Sequence, residues 1–199
     1  MIRSRTLKPL LLLLLLAGGV TATPVRAASS FVDCAIDVLQ GNKAEQTRPP
    51  TSAEVAFSPH GDATRLIVKT IRAAKKNLRM AAYSLTSRPI ATALITAQKK
   101  GIDVRVVVDH GQLGDHSHSI IKRLREAGIT IRVDTTHKLQ HNKYIIVDDE
   151  TVETGSFNYS ASAEHKNAEN VLVLWQSPDL ASRYVKNWEA LWAAAEPYK

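Results

Sequence analysis

One short stretch of the chain combines an imidazole with an ammonium group at strand spacing. His141 and Lys143 are two residues apart. If Gln140 to Val147 form a strand, both side chains project from the same face, because side chains alternate between the two faces of a strand. A neutral imidazole can attack a phosphorus atom, and an ammonium group can neutralise phosphate oxygens. The pair therefore predicts covalent phosphoryl chemistry.

A hydroxyl and an amide follow at the same spacing. Ser156 and Asn158 come directly after Gly155, and a glycine lets the backbone come close to a neighbouring group. Both side chains can form hydrogen bonds with the nonbridging oxygens of a phosphate, and we expect them to bind it together with Lys143. A nucleophilic imidazole also needs its second nitrogen held as a donor. Glu169, just before a predicted strand, is the candidate for that role.

These residues resemble the signature of the phospholipase D superfamily, which is His-x-Lys, four residues, Asp, six residues and Gly-Ser-x-Asn. All signature positions are matched, by His141, Lys143, Asp148, Gly155, Ser156 and Asn158. Thr154 to Asn158 together with Glu169 most resemble the small bacterial nucleases of that superfamily, and the resemblance covers about residues 54–195. It implies a nucleophilic histidine, a lysine and an asparagine that hold the phosphate, a supporting serine and a glutamate that orients the histidine. It implies a structural role behind the site for Asp148.

The chain carries one copy of this signature, whereas larger relatives carry two. His137-Lys138 and His165-Lys166 lack the intervening residue and the downstream Gly-Ser-x-Asn. Phosphodiester cleavage needs one group that attacks phosphorus and another that protonates the leaving oxygen. We therefore expect a twofold homodimer in which His141 of each subunit meets the other across one phosphate, with a bell-shaped pH dependence.

The first 27 residues are typical of a secretory signal. Basic residues precede a leucine run, Leu10 to Leu16, which is too short to span a bilayer. We expect cleavage after Ala27 or Ala28, export to the periplasm or the medium, and no stable membrane insertion. Removing residues 1–27 takes away four basic residues and no acidic one, which lowers the formal net charge from +7 to +3. That excess is compatible with a polyanionic partner.

The rest of the chain predicts an arm or linker over residues 28–53 and one catalytic domain over residues 54–199. Cys34 is the only cysteine, so one chain cannot form a disulfide within itself. The apolar periodicity predicts strands at 55–57, 78–83, 102–108, 129–133, 144–147, 151–154 and 171–175, and helices at 63–76, 89–100, 119–127 and 180–195. This order predicts an α/β fold with a mixed β-sheet flanked by helices, a phospholipase D-like sandwich.

Three functions remain open at this point. We expect a phosphodiesterase without metal or cofactor, first of all an endonuclease acting on DNA or RNA. The alternatives are a phospholipase D acting on phospholipid head groups and a noncatalytic nucleic-acid-binding protein. A set of basic residues is compatible either with tracking a phosphate backbone or with a solvated helix face; its members are Arg65, Lys69, Arg72, Lys75, Lys76 and Arg79.

A second cluster is rich in residue types that bind metals. It comprises Asp109, His110, Asp115, His116 and His118. The spacing matches no zinc pattern, so we interpret it as a polar loop that follows a strand and can line the substrate cleft.

Aromatic residues outside the signature are expected to serve packing. Trp188, Leu191 and Trp192 are at helical spacing, which predicts a core or subunit contact rather than a platform for base stacking. Tyr83, at the end of a predicted strand, is expected to pack in the core, and a place at the border of the cleft is the alternative.

Overall fold

The computed structural model describes residues 52–199, except for the side chains of residues 112, 113 and 115–118. The predicted signal over residues 1–27, the predicted arm up to residue 51 and Cys34 lie outside the described residues. Within the described part of the chain, no helix is long and apolar enough to cross a membrane.

Eight strands form one sheet in the order β1-β7-β6-β5-β2-β3-β4-β8. The strands are β1 (Ser52–Ser58), β2 (Asn77–Ala82), β3 (Asp103–Asp109), β4 (Thr130–Asp134), β5 (Lys143–Val147), β6 (Thr151–Gly155), β7 (Glu169–Trp175) and β8 (Glu196–Pro197). The helices are α1 (Ala63–Arg72), α2 (Arg88–Lys99), α3 (Asp115–Glu126), α4 (Ala161–His165) and α5 (Pro178–Ala194), with a 3-10 turn at His110–Leu113. Only the neighbours β2, β3 and β4 run parallel among these strands. The predicted mixed sheet flanked by helices is confirmed.

Buried apolar side chains on both faces of the sheet form two core clusters. On one face, α1, α2 and α3 pack over strand residues such as Leu78 and Val106. On the other face, α5 packs over the central strands with Trp188 and Leu191, which are both buried. The indole nitrogen of Trp188 donates to the carbonyl oxygen of Met80 at 3.0 Å. Trp188 of α5 therefore packs in the core, as the sequence predicts, and the partly buried Trp192 packs against the same cluster.

Helix α1 ends at Arg72, four residues before the predicted end at Lys76. The backbone N–H groups of Lys75, Lys76 and Asn77 donate to the carboxylate of Asp148 at 2.7–3.2 Å. The helix stops because these donors bind a side chain beyond β5 instead of the carbonyl groups of the preceding turn. Asp148 thereby ties the connection between α1 and β2 to the end of β5.

Strand β5 begins at Lys143, one residue before the predicted start at Tyr144, so the condition that a strand begins at Gln140 is not met. The backbone N–H of Gln140 donates to the carboxylate of Asp109 at 2.8 Å, and that of Asn142 donates to the side-chain oxygen of Gln140 at 2.8 Å. Because these two backbone N–H groups donate to side chains, they cannot donate to a neighbouring strand and extend β5. His141 therefore lies in the segment just before the strand.

Two further boundaries differ from the sequence prediction. Strand β7 begins at Glu169, which pairs with Ser58 of β1, so this glutamate lies on the strand rather than before it. Helix α3 begins at Asp115 instead of Ser119. The sequence prediction missed α4 and β8, because a single turn of helix and a two-residue strand are too short to produce a periodic pattern.

Polar groups gather at one end of the central strands. Ala82 ends β2 and pairs with Lys143 at the start of β5, while Gly155 ends β6 and pairs with Val171 near the start of β7. Because Asp109 ends β3, it lies at this end as well. We call it the upper end of the sheet.

Candidate active site

His141 and Lys143 meet at the upper end of β5. The Nδ1 atom of His141 lies 3.2 Å from Nζ of Lys143, which also donates to the carbonyl oxygen of His141 at 2.7 Å. The ring of Tyr83 lies 4.2 Å from the ring of His141 and 5.2 Å from Nζ of Lys143. His141 is exposed, whereas Lys143 is only 8% exposed. The imidazole therefore faces solvent with the ammonium group behind it.

Lys143 has an unusual electrostatic environment. Burial lowers its pKa, and the negative charge of Glu169 opposes part of that effect. An ammonium group that has lost much of its hydration is stabilised when an anion approaches, because the electrostatic attraction is weakly screened in a buried environment. Lys143 is thus suited to hold a phosphate oxygen.

Ser156 and Glu169 form a hydrogen-bonded pair across the ends of β6 and β7. Oγ of Ser156 donates to one carboxylate oxygen at 2.6 Å, and Nδ2 of Asn167 donates to the other at 2.9 Å. The backbone N–H of Asn170 donates to Oγ of Ser156 at 3.1 Å. Within one chain, the carboxylate of Glu169 therefore binds these neighbours rather than His141. Its role in orienting the histidine stays a prediction.

Gly155 allows β6 and β7 to approach closely beside the site. A Cβ atom at this position would lie 2.2 Å from the carbonyl oxygen of Asn170. The same carbonyl accepts a hydrogen bond from the backbone N–H of Phe157 at 3.3 Å. The glycine of the signature is therefore required by the close packing of backbone against backbone.

Asn158 is half-buried between two fully buried aromatic residues, Phe157 and Tyr159. Its side-chain oxygen is buried and has no hydrogen-bond partner among the described residues. This leaves the amide nitrogen as the group available to donate to a phosphate. The backbone N–H of Tyr159 donates to the carbonyl oxygen of Ser84 at 3.1 Å, which fixes the loop that carries Asn158.

A buried carboxyl group lies beneath that loop. The hydroxyl of Tyr159 donates to Glu153 at 2.8 Å, and both side chains are completely buried. Burial raises the pKa of Glu153 to about 8, while the hydrogen bond from Tyr159 lowers it in part. This carboxyl group supports the loop and does not face the cleft.

Asp148 is not part of the cluster at the upper end. It follows the last residue of β5, so about five residues separate it from Lys143, or roughly 16 Å along a strand. Its carboxylate is occupied by three backbone N–H groups. This geometry is that of a side chain that holds two chain segments together.

Two buried residues that the sequence did not assign to the site hold the segment before His141. Asp109 is 1% exposed and accepts hydrogen bonds from the backbone N–H groups of Gly111 at 2.9 Å and Gln140 at 2.8 Å. Gln140 in turn accepts from the backbone N–H of Asn142 at 2.8 Å. The available signal was an acidic residue directly after a buried β-branched run. Tyr83, expected in the core, is also a neighbour of His141.

The possible metal cluster has no support among the described side chains. No group of three or more histidine, cysteine, aspartate or glutamate side chains is placed to hold a metal there. Asp109 is engaged with backbone donors. The side chains of Asp115, His116 and His118 lie outside the description.

The predicted basic set is partly neutralised. Lys69 pairs with Glu54 at 2.6 Å, and Arg65 pairs with Asp62. Both pairs line a groove of about 560 Å³ between β1 and α1. In addition, Arg79 pairs with Asp103 at 2.8 Å. Three of the six basic residues are thus held by carboxylates, which weakens the case that this set tracks a phosphate backbone.

A cleft of about 470 Å³ runs from the catalytic cluster along the first half of α5. One end is lined by residues 141–144 together with Thr154 and Gly155. The wall formed by α5 contributes Leu180, Arg183, Tyr184 and Asn187. The hydroxyl of Tyr144 donates to the side-chain oxygen of Asn187 at 2.8 Å, so the wall is fixed to the sheet.

Comparison with known proteins identifies the family. Residues 67–192 match the family described as "Cardiolipin synthase, PLD-like domain". The chain belongs to the phospholipase D superfamily. A phospholipase D family member, Nuc from Salmonella typhimurium, is 42% identical with a TM-score of 0.73, and the match covers 74% of this chain and 98% of Nuc.

Curated relatives place the chain among the phosphodiesterases of the phospholipase D superfamily. Phospholipase D of Rickettsia conorii is 36% identical over 166 residues, which cover 83% of this chain and 81% of the relative. Mitochondrial cardiolipin hydrolase of Xenopus laevis is 31% identical over 141 residues, which cover 70% of this chain and 66% of the relative. The protein is a hydrolase of this superfamily that acts on phosphodiesters.

Proposed function

We propose that the protein is an exported endonuclease that hydrolyses DNA or RNA without a metal ion, in a site shared by two subunits. The observation that carries this proposal is the polar lining of the cleft beside His141. Arg183, Tyr184 and Asn187 line the wall of α5, and the only aliphatic side chain on that wall is Leu180. Cationic and hydrogen-bonding groups suit a sugar-phosphate chain, whereas acyl chains need apolar walls.

The first chemical step forms a bond between a ring nitrogen of His141 and phosphorus. As this bond forms, the bond from phosphorus to the leaving oxygen breaks, and His141 of the second subunit donates a proton to that oxygen. Lys143 and the amide of Asn158 stabilise the charge on the nonbridging oxygens. In the second step that same imidazole of the second subunit takes a proton from water, which attacks phosphorus and releases the first histidine.

The position of Lys143 bears on which ring nitrogen attacks. A neutral His141 that accepts a hydrogen bond from Lys143 at Nδ1 carries its proton on Nε2, and Nε2 cannot attack in that form. When a phosphate attracts the ammonium group of Lys143, Nδ1 of His141 is free to carry the proton. It can then donate a hydrogen bond to a carboxylate. We propose Glu169 as this carboxylate, which would exchange a hydrogen bond with Ser156 or Asn167 for one with His141.

An apolar surface near the site supports a second copy of the chain as partner. Val55 and Phe57 of β1 are each 60% exposed. Ala56 packs in the core under α1, so its two neighbours project from the opposite face of the sheet, on which α5 lies. Val55 pairs with Leu172 of β7, which is half-buried and pairs with Thr154 of β6, so the apolar surface continues across the sheet toward the cleft. A twofold contact that covers this surface would bring two signatures together.

A phospholipid is the second candidate substrate. The specific observation in its favour is that curated relatives bear the names phospholipase D and mitochondrial cardiolipin hydrolase. A lipid substrate would have to present its head group to the cleft from a membrane surface. Exposed large apolar side chains among the described residues are Val55, Phe57 and Leu139, and only Leu139 is adjacent to the catalytic segment.

The experiment compares three substrates with one preparation. Purified mature protein is incubated with plasmid DNA, with RNA and with vesicles of phosphatidylcholine and cardiolipin, each with and without excess chelator. We expect nicking and fragmentation of nucleic acid in both conditions and no release of lipid head groups, with His141→Ala as the inactive control. Hydrolysis of lipid with intact nucleic acid would overturn the nuclease proposal, and loss of activity in chelator would overturn the metal-independent mechanism.

A further inference from the structure

All seven histidines of the chain occur at the upper end of the sheet. His60 follows β1, His110 follows β3, His137 follows β4, His141 precedes β5 and His165 ends α4 just before β7. The other two lie in the first turn of α3, which also begins at this end. Histidine is the side chain whose charge changes between pH 5 and 8. The upper end can therefore gain several positive charges in a range where the rest of the surface does not titrate.

The strand order places these residues in a row. From one side to the other, the row runs from His60 at β1 and His165 at β7 through His141 at β5 to His110 at β3 and His137 at β4. Neighbouring strands are 4.7–4.9 Å apart, so the six intervals from β1 to β4 span about 29 Å. At the 3.4 Å spacing of stacked nucleotides, this row is as long as about eight of them. The nucleophile lies in the middle.

The flanking imidazoles are accessible to a ligand. The side chains of His110 and His137 are 48% and 55% exposed, and His60 and His165 are exposed as well. These four residues together with His141 form what we call the imidazole row. Its exposure distinguishes it from histidines that fill a core.

Carboxylates face two members of the row. Asp134 lies 2.7 Å from Nδ1 of His137. Asp109 lies 3.7 Å from Nδ1 of His110 but also accepts two backbone hydrogen bonds. No ion pair of His60 or His165 occurs among the described residues.

The other acidic groups near the row are already engaged, as far as the described side chains show. One of them, Glu196 of β8, accepts a hydrogen bond from the hydroxyl of Thr135 at 3.5 Å. Asp62 pairs with Arg65, Glu164 accepts from Thr64, and Glu169 accepts from Ser156. Lys138 and Lys166, next to members of the row, add positive charge and are exposed. Protonated imidazoles at this end are therefore stabilised more by binding an external polyanion than by the carboxylates around them.

We propose that the imidazole row binds single-stranded nucleic acid on both sides of the scissile phosphate, and that protonation of the row tightens this binding as the pH falls from 7.5 to 5.5. The inference rests on the proposed nuclease function and specifies which substrate the site takes. The formal net charge of +7 counts histidine as neutral, and full protonation of the row adds five charges at the end that carries the nucleophile. A single phosphodiester head group would occupy only the centre of such a row.

The test measures binding of a fluorescein-labelled 12-mer oligodeoxynucleotide by fluorescence anisotropy. All proteins carry His141→Asn, so that the probe is not cleaved and the nucleophile does not contribute to the pH dependence. The variant under test adds His60→Gln, His110→Gln and His165→Gln, and leaves His137 in place because it is bound to Asp134. Its matched control instead adds Lys75→Gln, Lys99→Gln and Lys100→Gln, which remove three exposed charges at the opposite end of the sheet.

We expect the parent to bind about 10- to 100-fold more tightly at pH 5.5 than at pH 7.5 in 50 mM salt, with a salt slope steeper by about 2. The triple histidine variant lacks three of the six histidines that remain in the parent, so it should lose about half of this difference on a logarithmic scale. The lysine control should keep the difference. Equal affinity of the parent at both pH values, or an unchanged pH effect in the histidine variant, would overturn the proposal. So would tighter binding to phosphatidylglycerol vesicles than to the oligonucleotide at pH 5.5.

A small substrate separates this proposal from the proposed function. Bis(4-nitrophenyl) phosphate contains one phosphodiester and cannot reach along the row. The triple histidine variant on the wild-type background should hydrolyse it at the wild-type rate and lose activity on the oligonucleotide at pH 5.5. If wild-type protein hydrolyses neither compound, the proposed function fails. If it hydrolyses both and the variant loses nothing, only the role of the row fails.

Discussion

Lys143 shows how one residue combines burial with chemistry. It begins a buried strand, and its ammonium group lies against the exposed ring of His141. Burial lowers its pKa, so the charged form is destabilised by desolvation in the absence of a ligand. A bound phosphate offsets this desolvation, and the same positive charge stabilises the additional negative charge of the transition state.

Replacement of Lys143 by glutamine should therefore impair the chemical step. We expect kcat/KM for bis(4-nitrophenyl) phosphate to fall by about 10²–10³-fold, the range seen when one donor to a developing anion is removed. Steady-state kinetics at pH 7 measures the effect. Lys138→Gln, an exposed lysine five residues earlier, serves as the control and should leave kcat/KM unchanged. A Lys143→Gln variant as active as that control would contradict the assignment.

At this scale the sequence predicts types of residue better than contacts. Spacing alone indicated that His141 and Lys143 would meet, and they do, although His141 lies outside the strand. The contact between Ser156 and Glu169 could not be predicted, because it depends on how β6 and β7 pair. The hydrogen bond that the side chain of Gln140 accepts from the backbone N–H of Asn142 was also beyond prediction, because it replaces a regular strand by a local side-chain contact.

Strand β6 carries a feature that links stability to pH. Glu153 is completely buried under the loop of Asn158 with Tyr159 as its hydrogen-bond partner. Its pKa is raised from 4.5 to about 8 by burial. The folded state therefore holds a proton that the unfolded state releases above pH 4.5. This contribution to stability is fully present below that pH and is lost as the pH rises toward 8.

Urea unfolding at several pH values should detect this proton. We expect the free energy of unfolding to fall by about 1.4 kcal/mol for each pH unit between 4.5 and about 8 owing to this group. Glu153→Gln retains a neutral hydrogen-bond partner for Tyr159 and should remove this slope. If the wild type and the variant had the same pH dependence, Glu153 would have to be ionised in the folded protein.

The turn between α1 and β2 depends on Asp148. Its carboxylate binds the backbone N–H groups of residues 75–77. Asp148→Ala leaves these donors without their partner, and we expect the free energy of unfolding to fall by about 1–3 kcal/mol. The kcat of the folded enzyme should not change. Chemical denaturation and initial-rate assays check both, with Glu150→Ala, at an exposed position in the turn between β5 and β6, as control.

A large loss of kcat in stable, folded Asp148→Ala would contradict the structural role. The residue would then act on the chemistry over the length of β5.

The sequence could predict that the signature contains an aspartate, but not which donors it binds. The end of α1 was misplaced for the same reason, since Lys75 and Lys76 are good helix formers and only a distant carboxylate draws their N–H groups away.

For the whole molecule, the central question is whether two chains share one site. The order of strands and helices predicted a mixed sheet flanked by helices, because hydrophobic periodicity depends on burial. The homodimer is a prediction that rests on the single signature and on a chemical argument. The surface proposed for its contact could not be predicted from sequence, because the exposed Val55 and Phe57 look like ordinary strand residues.

Mixing of subunits tests the shared site. Wild type and His141→Ala are denatured together, refolded in varying ratios and assayed with bis(4-nitrophenyl) phosphate. If each site needs both histidines, an equal mixture should show about one quarter of the wild-type activity, because only dimers of two intact chains are active. About one half would show that each chain acts alone. Sedimentation of the mixtures checks that subunits have exchanged freely.

The most direct measurement for the whole account is detection of the covalent intermediate. Protein is mixed with bis(4-nitrophenyl) phosphate, quenched within milliseconds in alkali, digested and analysed by mass spectrometry. We predict a 4-nitrophenyl phosphate adduct on the peptide that contains His141, formed at least as fast as the overall reaction and absent in His141→Ala. Turnover by the wild type with no adduct on that peptide, or with an adduct on another residue, would contradict the phosphohistidine mechanism.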